Sequence, residues 1–560
     1  MKRTKGNEMA LACLAIAAVV LLIGEAVKAD FIFGEPTNLG APINSPSSEF
    51  DVCVSADGLE LYFGSLRAGG FGGNDIWVVG RATVKAPWAA LQNLGSTVNT
   101  PYDCTDPSIS ADGLTLYFRS DRPGGYGRTD LWVTTRLTKD DPWSEPANLG
   151  PTVNGPYDEG DPSISADGLS LYFSEWSSPE SHPRPGGHGS SDIWVVTRPT
   201  IETPWSEPVN VGPGVNGAYN DWHPCVSAHG LALFFASDRS GGLGRDDLYM
   251  TTRVTTADPW GEAVHLGPTI NTSLWDENPE ISADGSILYF DAVRPGGMGE
   301  LDLWQLPVIT LVDFNGDGKV DGSEVSAVAD RWGTNDSLCD IGPMPWGDGV
   351  VDLEDLKVLA EYIEKPIVDG TLVAHWALDE AEGPVAHDSA CDNDGTVAGD
   401  PLWCPDGGAV GGALAFGGAT FVSADFALNP KEGPFSVLAW VKGGAPGQVI
   451  LSQEGGTDWL ALDPTTGALM SGLHSGSRLS RALYSDAVIA DNAWHRVGFT
   501  WDGFSRSLYV DDILVAEGDD VGLAECYGGL NIGCGKSAAP DTFFTGLIDD
   551  VRIYNRAVRP

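Results

Sequence analysis

Residues 313–324 read D-F-N-G-D-G-K-V-D-G-S-E. Asp313, Asn315, Asp317, Lys319, Asp321 and Glu324 fall at positions 1, 3, 5, 7, 9 and 12 of a twelve-residue loop, Lys319 through its carbonyl. Every donor is an oxygen, which suits a hard dication. Gly318 stands at position 6, where the chain must turn sharply to wrap Ca2+. Val325, Val328, Ala329 and Trp332 follow on one helical face. A weaker copy comes next. Asp348, Asp352 and Asp355 match the later part of such a loop, but its first positions fall on Met344 and Trp346. Asp340 is the substitute ligand across the Gly-Pro-Met-Pro insertion. Leu353, Leu356, Leu359 and Ile363 then continue at helical spacing.

A second group of chemically active residues precedes five short apolar runs. It comprises Glu49-Phe50-Asp51, Asp103 to Asp106, Asp158 to Asp161, Asp221-Trp222-His223 and Trp275-Asp276-Glu277. Asp158, Asp221, Trp222, His223, Trp275 and Asp276 are the candidate ligand contacts. Carboxylates would take sugar hydroxyls or a cation, and a ring would stack on indole. The same acids can instead cap turns.

The elements that position these residues are set by a repeat. The unit S-A-D-G-L-x-L-Y-F, then R-x-G-G-x-G, then D-[L/I]-W recurs with its Asp-Gly core at 57, 112, 167 and 284, and with His229 in the fourth copy. Each copy holds four short strand-forming stretches divided by turn residues, which is a propeller blade. One such unit cannot bury its own apolar face, so the copies must stack. The fifth copy lacks its last stretch, and residues 31–40 carry the missing sequence. They are expected to close the ring as the outer strand of blade five and remove the open edge. The repeated arginines (67, 122, 184, 239, 294) and aspartates (75, 130, 192, 247, 302) are expected to pair across the hairpin of each blade. The third copy has an insertion around Trp176–Pro183 that would overhang one face. The units resemble the WD40-like (PD40) repeats of the TolB propeller.

The two loop–helix units resemble a dockerin, which implies Ca2+ as cofactor and a cohesin-like protein as partner. A calcium-stiffened spacer between two β domains is the alternative. Beyond residue 371 the period disappears, and alternating strands such as Phe435–Val441 and Trp494–Trp501 suit a two-sheet jelly roll. His375 to Glu380, Asp388-Ser389 through Asp394-Gly395, Trp494-His495 and Gly546 to Tyr554 resemble the laminin-G-like, concanavalin-like domain. That resemblance implies glycan or protein binding, often with calcium, and makes Asp388 and Asp549 candidate ligands.

The expected organisation is a signal peptide over 1–29, a five-bladed propeller over 30–308, a dockerin-like module over 309–366 and a jelly roll over 371–560. The class is mainly β. The formal net charge of −46 argues against nucleic acid or anionic lipid as partner. Nine cysteines in 560 residues do not make a disulfide scaffold. Export permits bridges between Cys391 and Cys404 and between Cys526 and Cys534. Beyond the leader no segment is long and apolar enough to span a membrane. These readings imply a secreted, non-catalytic, calcium-binding protein that recognises extracellular polysaccharide or glycoprotein. The alternatives are a propeller glycoside hydrolase and a dockerin-tethered component of a polysaccharide-degrading complex.

Overall fold

The computed structural model describes residues 31–176, 184–334, 336, 339–342, 347, 349–363, 365, 369–391, 393–425, 427–431, 433–475, 481–520, 522–558 and 560. The leader, the insertion at 177–183, Met344, Trp346 and Asp348 lie outside them. The chain forms two compact units. One runs to Leu311 and takes in Val328–Val358; the other joins Val312–Ala327 to Leu359–Pro560. Residues 309–366 are thus shared between the units.

The first unit holds five antiparallel sheets, a five-bladed propeller. Blade one is Glu49–Val54, Glu60–Ser65, Asp75–Gly80 and Ala89–Asn93. Blades two to four repeat that order. In blade five, Thr37–Asn38 and Phe31–Phe33 both pair with the long strand Asp302–Thr310, with Asn38 opposite Trp304 and Phe33 opposite Val308. The N-terminal segment therefore completes the last blade.

Apolar burial explains the ring. Each core cluster lies between neighbouring blades. Val54, Leu61, Phe63 and Trp77 of blade one pack with Tyr289 and Leu303 of blade five. Tyr62 and Ile76 pack with Leu116 and Phe118 of blade two. Three more clusters complete the circuit. A polar circuit runs beside it. Val54 N–H donates to Glu280 (3.1 Å), Ile109 to Cys53 (3.4 Å), Ile164 to Ser108 (3.1 Å), Val226 to Ser163 (3.0 Å) and Ile281 to Cys225 (3.3 Å). Every blade is thereby tied to the one before it.

The expected Arg–Asp pairing is corrected. Arg67, Arg184, Arg239 and Arg294 pair instead with Glu49, Glu159, Asp221 and Asp276 at the start of the innermost strand, at 2.5 to 2.8 Å. Arg122 meets the Cys104 thiol there. The repeated aspartates accept backbone N–H groups of the glycine loop, as Asp130 does from Tyr126 (2.8 Å) and Asp192 from His188 (2.8 Å). These carboxylates are committed to the loop amides, and the guanidiniums reach the acid that opens the innermost strand instead.

The second unit is a sandwich of two eight-stranded antiparallel sheets. Phe435–Gly443 and Gly546–Tyr554 lie at the centre of one sheet, and Leu530–Ile532 and Val449–Gln453 at the centre of the other. Trp376, Phe435, Trp459, Phe499 and Ile553 fill the core between them. All eight cysteines among the described residues are free thiols, so neither expected bridge is formed. Among the described residues the helices are Gly322–Asp330 and Leu353–Tyr362.

Candidate functional site

Three places concentrate donors. The first is the pair of loops. Asp313 is buried and accepts the amides of Gly316 (2.7 Å) and Gly318 (2.8 Å). Asn315 donates to Ser323, Asp317 accepts from Lys319 N–H, and Asp321 caps the helix through Ser323. Glu324 accepts the Asp321 amide (2.9 Å). The second loop repeats this pattern. Asp340 accepts the Gly349 amide (2.7 Å) as Asp313 accepts that of Gly318, and Asp355 accepts from Asp352 (2.6 Å) as Glu324 does from Asp321. Gly318 and Gly349 share a left-handed conformation, φ 81° and 89°. Asp340 thus holds the first place of the second loop despite the insertion. Among the described residues no three acidic, His or Cys side chains are gathered as a metal site.

The first loop is docked on the sandwich. Arg556 donates to the Asp313 carbonyl (2.9 Å), Arg496 to that of Asn315 (3.0 Å) and the Tyr554 hydroxyl to that of Gly316 (3.0 Å). Sequence reasoning did not foresee this clasp, because nothing local links residue 316 to residue 554.

The second place lies at the rim of the sandwich. Asp388 accepts the amides of His375, Ala390 and Asn393, at 2.8, 2.8 and 3.1 Å, and so organises a turn. Asp549 is different. It is fully buried; Oδ2 accepts from Ala409 (2.7 Å) and Val410 (2.8 Å), and Oδ1 has no hydrogen-bond partner. Burial first, then Asp550 and Asp379, push its carboxyl up to about 7. The neighbouring Asp379 accepts the Gly412 amide, and a Cβ at Gly411 would meet its carboxylate at 2.7 Å. This glycine cradle thus holds one buried carboxylate oxygen without a partner, where calcium takes six to eight oxygens in all. Asp379 is the residue sequence reasoning missed; its signal was the His375–Glu380 motif.

The third place is the propeller channel. Each innermost strand has a bulge at one residue with positive φ: Asp51, Asp106, Asp161, His223 and Asn278. These five line a cavity of about 40 Å³ together with Glu280. Asp106 N–H donates to Asp51 (3.2 Å) and Asp161 N–H to Asp106 (3.0 Å), so blades two and three join this inner chain of carboxylates. Burial, then Asp106, pushes Asp51 and Asp161 up. Burial would raise Asp106 as well, but Arg119 at 3.4 Å holds it low. Burial takes His223 down to about 4.

Of the expected contacts, the structure brings His223 to the cavity, with Trp222 stacked on it at 5.5 Å. Trp275 is half-buried under the Arg245 guanidinium, 4.5 Å away. Asp221 and Asp276 are held by their arginines, and Asp158 lies buried 3.5 Å from Arg128. These three do not line the cavity. One pair escaped sequence reasoning, Asp246 beside Glu277. Burial, then Asp291 and Asp246, raises Glu277 to about 9, and burial raises Asp246 to about 6.

The family model described as the concanavalin A-like lectin/glucanases superfamily matches residues 416–560. No curated protein sequence matches the chain. Among solved structures, Trypanosoma rangeli sialidase in complex with the inhibitor DANA is 12% identical, covers 95% of both chains and has a TM-score of 0.45. Domain 4 of an extracellular arabinanase from Geobacillus stearothermophilus, in complex with arabinotriose, is 21% identical. It covers 34% of this chain and 94% of that one, with a TM-score of 0.27.

Proposed function

We propose that this chain is a secreted, calcium-stabilised, non-catalytic protein that recognises extracellular polysaccharide or glycoprotein. The observation that carries the reading is the orphaned Asp549 Oδ1 in its glycine cradle, within a unit whose C-terminal part matches a lectin/glucanase family. Asp549 and Asp379 would hold the ion at the sandwich, and the loop donors of 313–324 a second one. The ion would supply charge compensation that lets both carboxylates stay ionised side by side. Asp549 fixes the 408–410 turn through two amides, and Asp379 fixes Gly412, so the chain itself presents the rim.

Against hydrolysis in the channel, neither Asp246 nor Glu277 lines its cavity. The hydrolase reading retains one observation in its favour: Asp246 and Glu277 are carboxyls pushed apart in acidity, as an acid–base pair requires. The test is to mix the chain without residues 1–29 with a panel of insoluble polysaccharides. Depletion from solution and reducing-sugar release are measured together. Depletion without sugar release is expected. Release that disappears in Glu277→Gln would establish the hydrolase instead.

A cohesin-like partner has less support. The clasp already takes three backbone carbonyls of the first loop.

A further inference from the structure

Three side chains on the sandwich rim form an unbroken relay. The Ser389 hydroxyl lies 2.7 Å from His375 Nδ1, and His375 Nε2 lies 2.8 Å from Asp550 Oδ1. The carboxylate takes the Nε2 proton, so Nδ1 turns its lone pair on the hydroxyl, which donates to it. Each member is held in place. Asp388 accepts the His375 amide (2.8 Å), and Ser389 N–H donates to the His375 carbonyl (2.9 Å). The backbones on either side of the serine–imidazole contact are thereby tied together. Asp550 is buried and also accepts from Arg552 Nε (3.0 Å). Its backbone adds an independent sign. Asp550 has φ 49°, in the left-handed region, inside the strand Gly546–Tyr554. There the register against Phe435–Gly443 shifts between Asp549 and Arg552. A bulge re-aims a side chain at a cost in backbone strain, and this one aims the carboxylate at the imidazole. Ser389 itself is exposed.

We propose that Ser389 is an activated nucleophile and a site of covalent acylation, taking the acyl group of an ester with a good leaving group, an aryl ester or a thioester. The proposal goes beyond glycan recognition and does not depend on it. A serine is a weak nucleophile until a base within hydrogen-bond reach removes its proton, and that base is in turn oriented by a third group. Ser389, His375 and Asp550 meet both conditions. Ser389 Oγ would bond to the acyl carbon while its proton passes to His375 Nδ1. The bond from that carbon to the leaving group breaks, and the phenolate or thiolate departs with its electron pair. Solvent then takes the proton from the imidazolium, whose charge Asp550 balances meanwhile. The product is a serine ester. Hydrolysis of that ester would expel a poor leaving group, the serine alkoxide, and needs amides aimed at the oxyanion. One such donor is worth about 10²–10³ in rate. The amides of Ala390, Cys391 and Asn393 all go to Asp388, and that of Ser389 goes to His375. The turn that positions the serine therefore leaves the acyl group on it, and the site is modified once rather than turned over.

The test is to incubate the full chain at neutral pH with p-nitrophenyl acetate, phenyl thioacetate or ethyl acetate and to map acetyl groups by peptide mass spectrometry. Ser389 is expected to gain one acetyl group from the first two, at least tenfold faster than any other serine, and none from the alkyl ester. General-base help is worth about 10²–10⁴ in rate. His375→Gln and Asp550→Asn should each slow acetylation of Ser389 at least tenfold, with an unchanged circular dichroism spectrum and melting point. Acetylation of the unsubstituted chain should also be slower in heavy water, which reports the proton transfer without any substitution. Acetyl groups spread evenly over exposed serines overturn the proposal. So does a Ser389 rate unchanged in His375→Gln or, where that variant does not fold, unchanged in heavy water. Steady phenolate release that leaves no acetyl on the chain and is lost in Ser389→Ala also overturns it, because the serine would then be the nucleophile of a hydrolase.

Discussion

Glu280 sits between two thiols, accepting from Cys225 at 3.1 Å and from the Val54 amide at 3.1 Å. Burial raises it to about 7, as it does Asp291, while Glu277 reaches about 9. An acid with a raised folded pKa binds its proton more tightly when folded. Its stabilisation is complete below the unfolded value, near 4, and is lost as pH rises through the folded value. His223 acts in the opposite sense below about 6.5. The propeller is therefore expected to melt at steadily lower temperature from about pH 6 to pH 9. Glu280→Gln should flatten that slope only up to about pH 7, the value at which Glu280 itself titrates in the fold. Scanning calorimetry across pH checks this, and a melting point that rises with pH would refute it. At the sandwich rim, Asp549→Asn should reduce the rise in melting temperature expected on adding calcium, leaving the share that belongs to the 313–324 loop. Asp388→Asn should cost about 1.5–3 kcal/mol, with or without calcium, because its bonds are turn-forming amides to a charged group. The sequence singled out Asp549 and passed over Asp379, because only folding sets residue 379 against 549. Asp221 and Asp276 read as site residues for a related reason: their arginines lie 18 positions downstream.

Among elements, the glycine loops show how closely the blades approach. A Cβ at Gly127 would run into the carbonyl oxygen of Tyr157 in the next blade. Backbone cannot move aside as a side chain can. Gly127→Ala is expected to destabilise the propeller by about 1–3 kcal/mol, read as a lowered urea midpoint. The clasp is the second element with a testable weight. The double variant Arg556→Ala/Tyr554→Phe removes the donors to the Asp313 and Gly316 carbonyls. Amides of 313–318 should then exchange with deuterium faster, while the central strand Phe435–Gly443 keeps its protection. Loss of protection throughout the sandwich would show that the loop is part of its cooperative core. The blade hairpins were legible because Ala-Asp-Gly turns and period-2 strands are local signals. The clasp was not, because its partners are between 181 and 243 residues apart.

At the scale of the molecule, closure of the propeller depends on ten residues at its start. Phe31 and Phe33 pack into the cluster between blades four and five, and Asn38 donates to Asp302 (3.1 Å). Removing residues 31–40 exposes the edge of Asp302–Thr310. The shortened chain should lose a single cooperative propeller transition and associate in gel filtration through that edge. This closure was legible, since the fifth repeat lacks the stretch that the N-terminus supplies. The division of residues 309–366 between two units was not, since a loop–helix pattern says nothing of what it packs against. The central claim joins both scales: recognition of a glycan by a sandwich whose rim is set by Asp549, Asp379 and calcium. The most direct measurement is retention of the chain on the polysaccharide that depletes it best, in calcium and in chelator, beside Asp549→Asn in calcium. Retention of the wild type in calcium alone, with release of the chelated chain and of the variant, is the predicted result. Equal retention of all three would contradict the account.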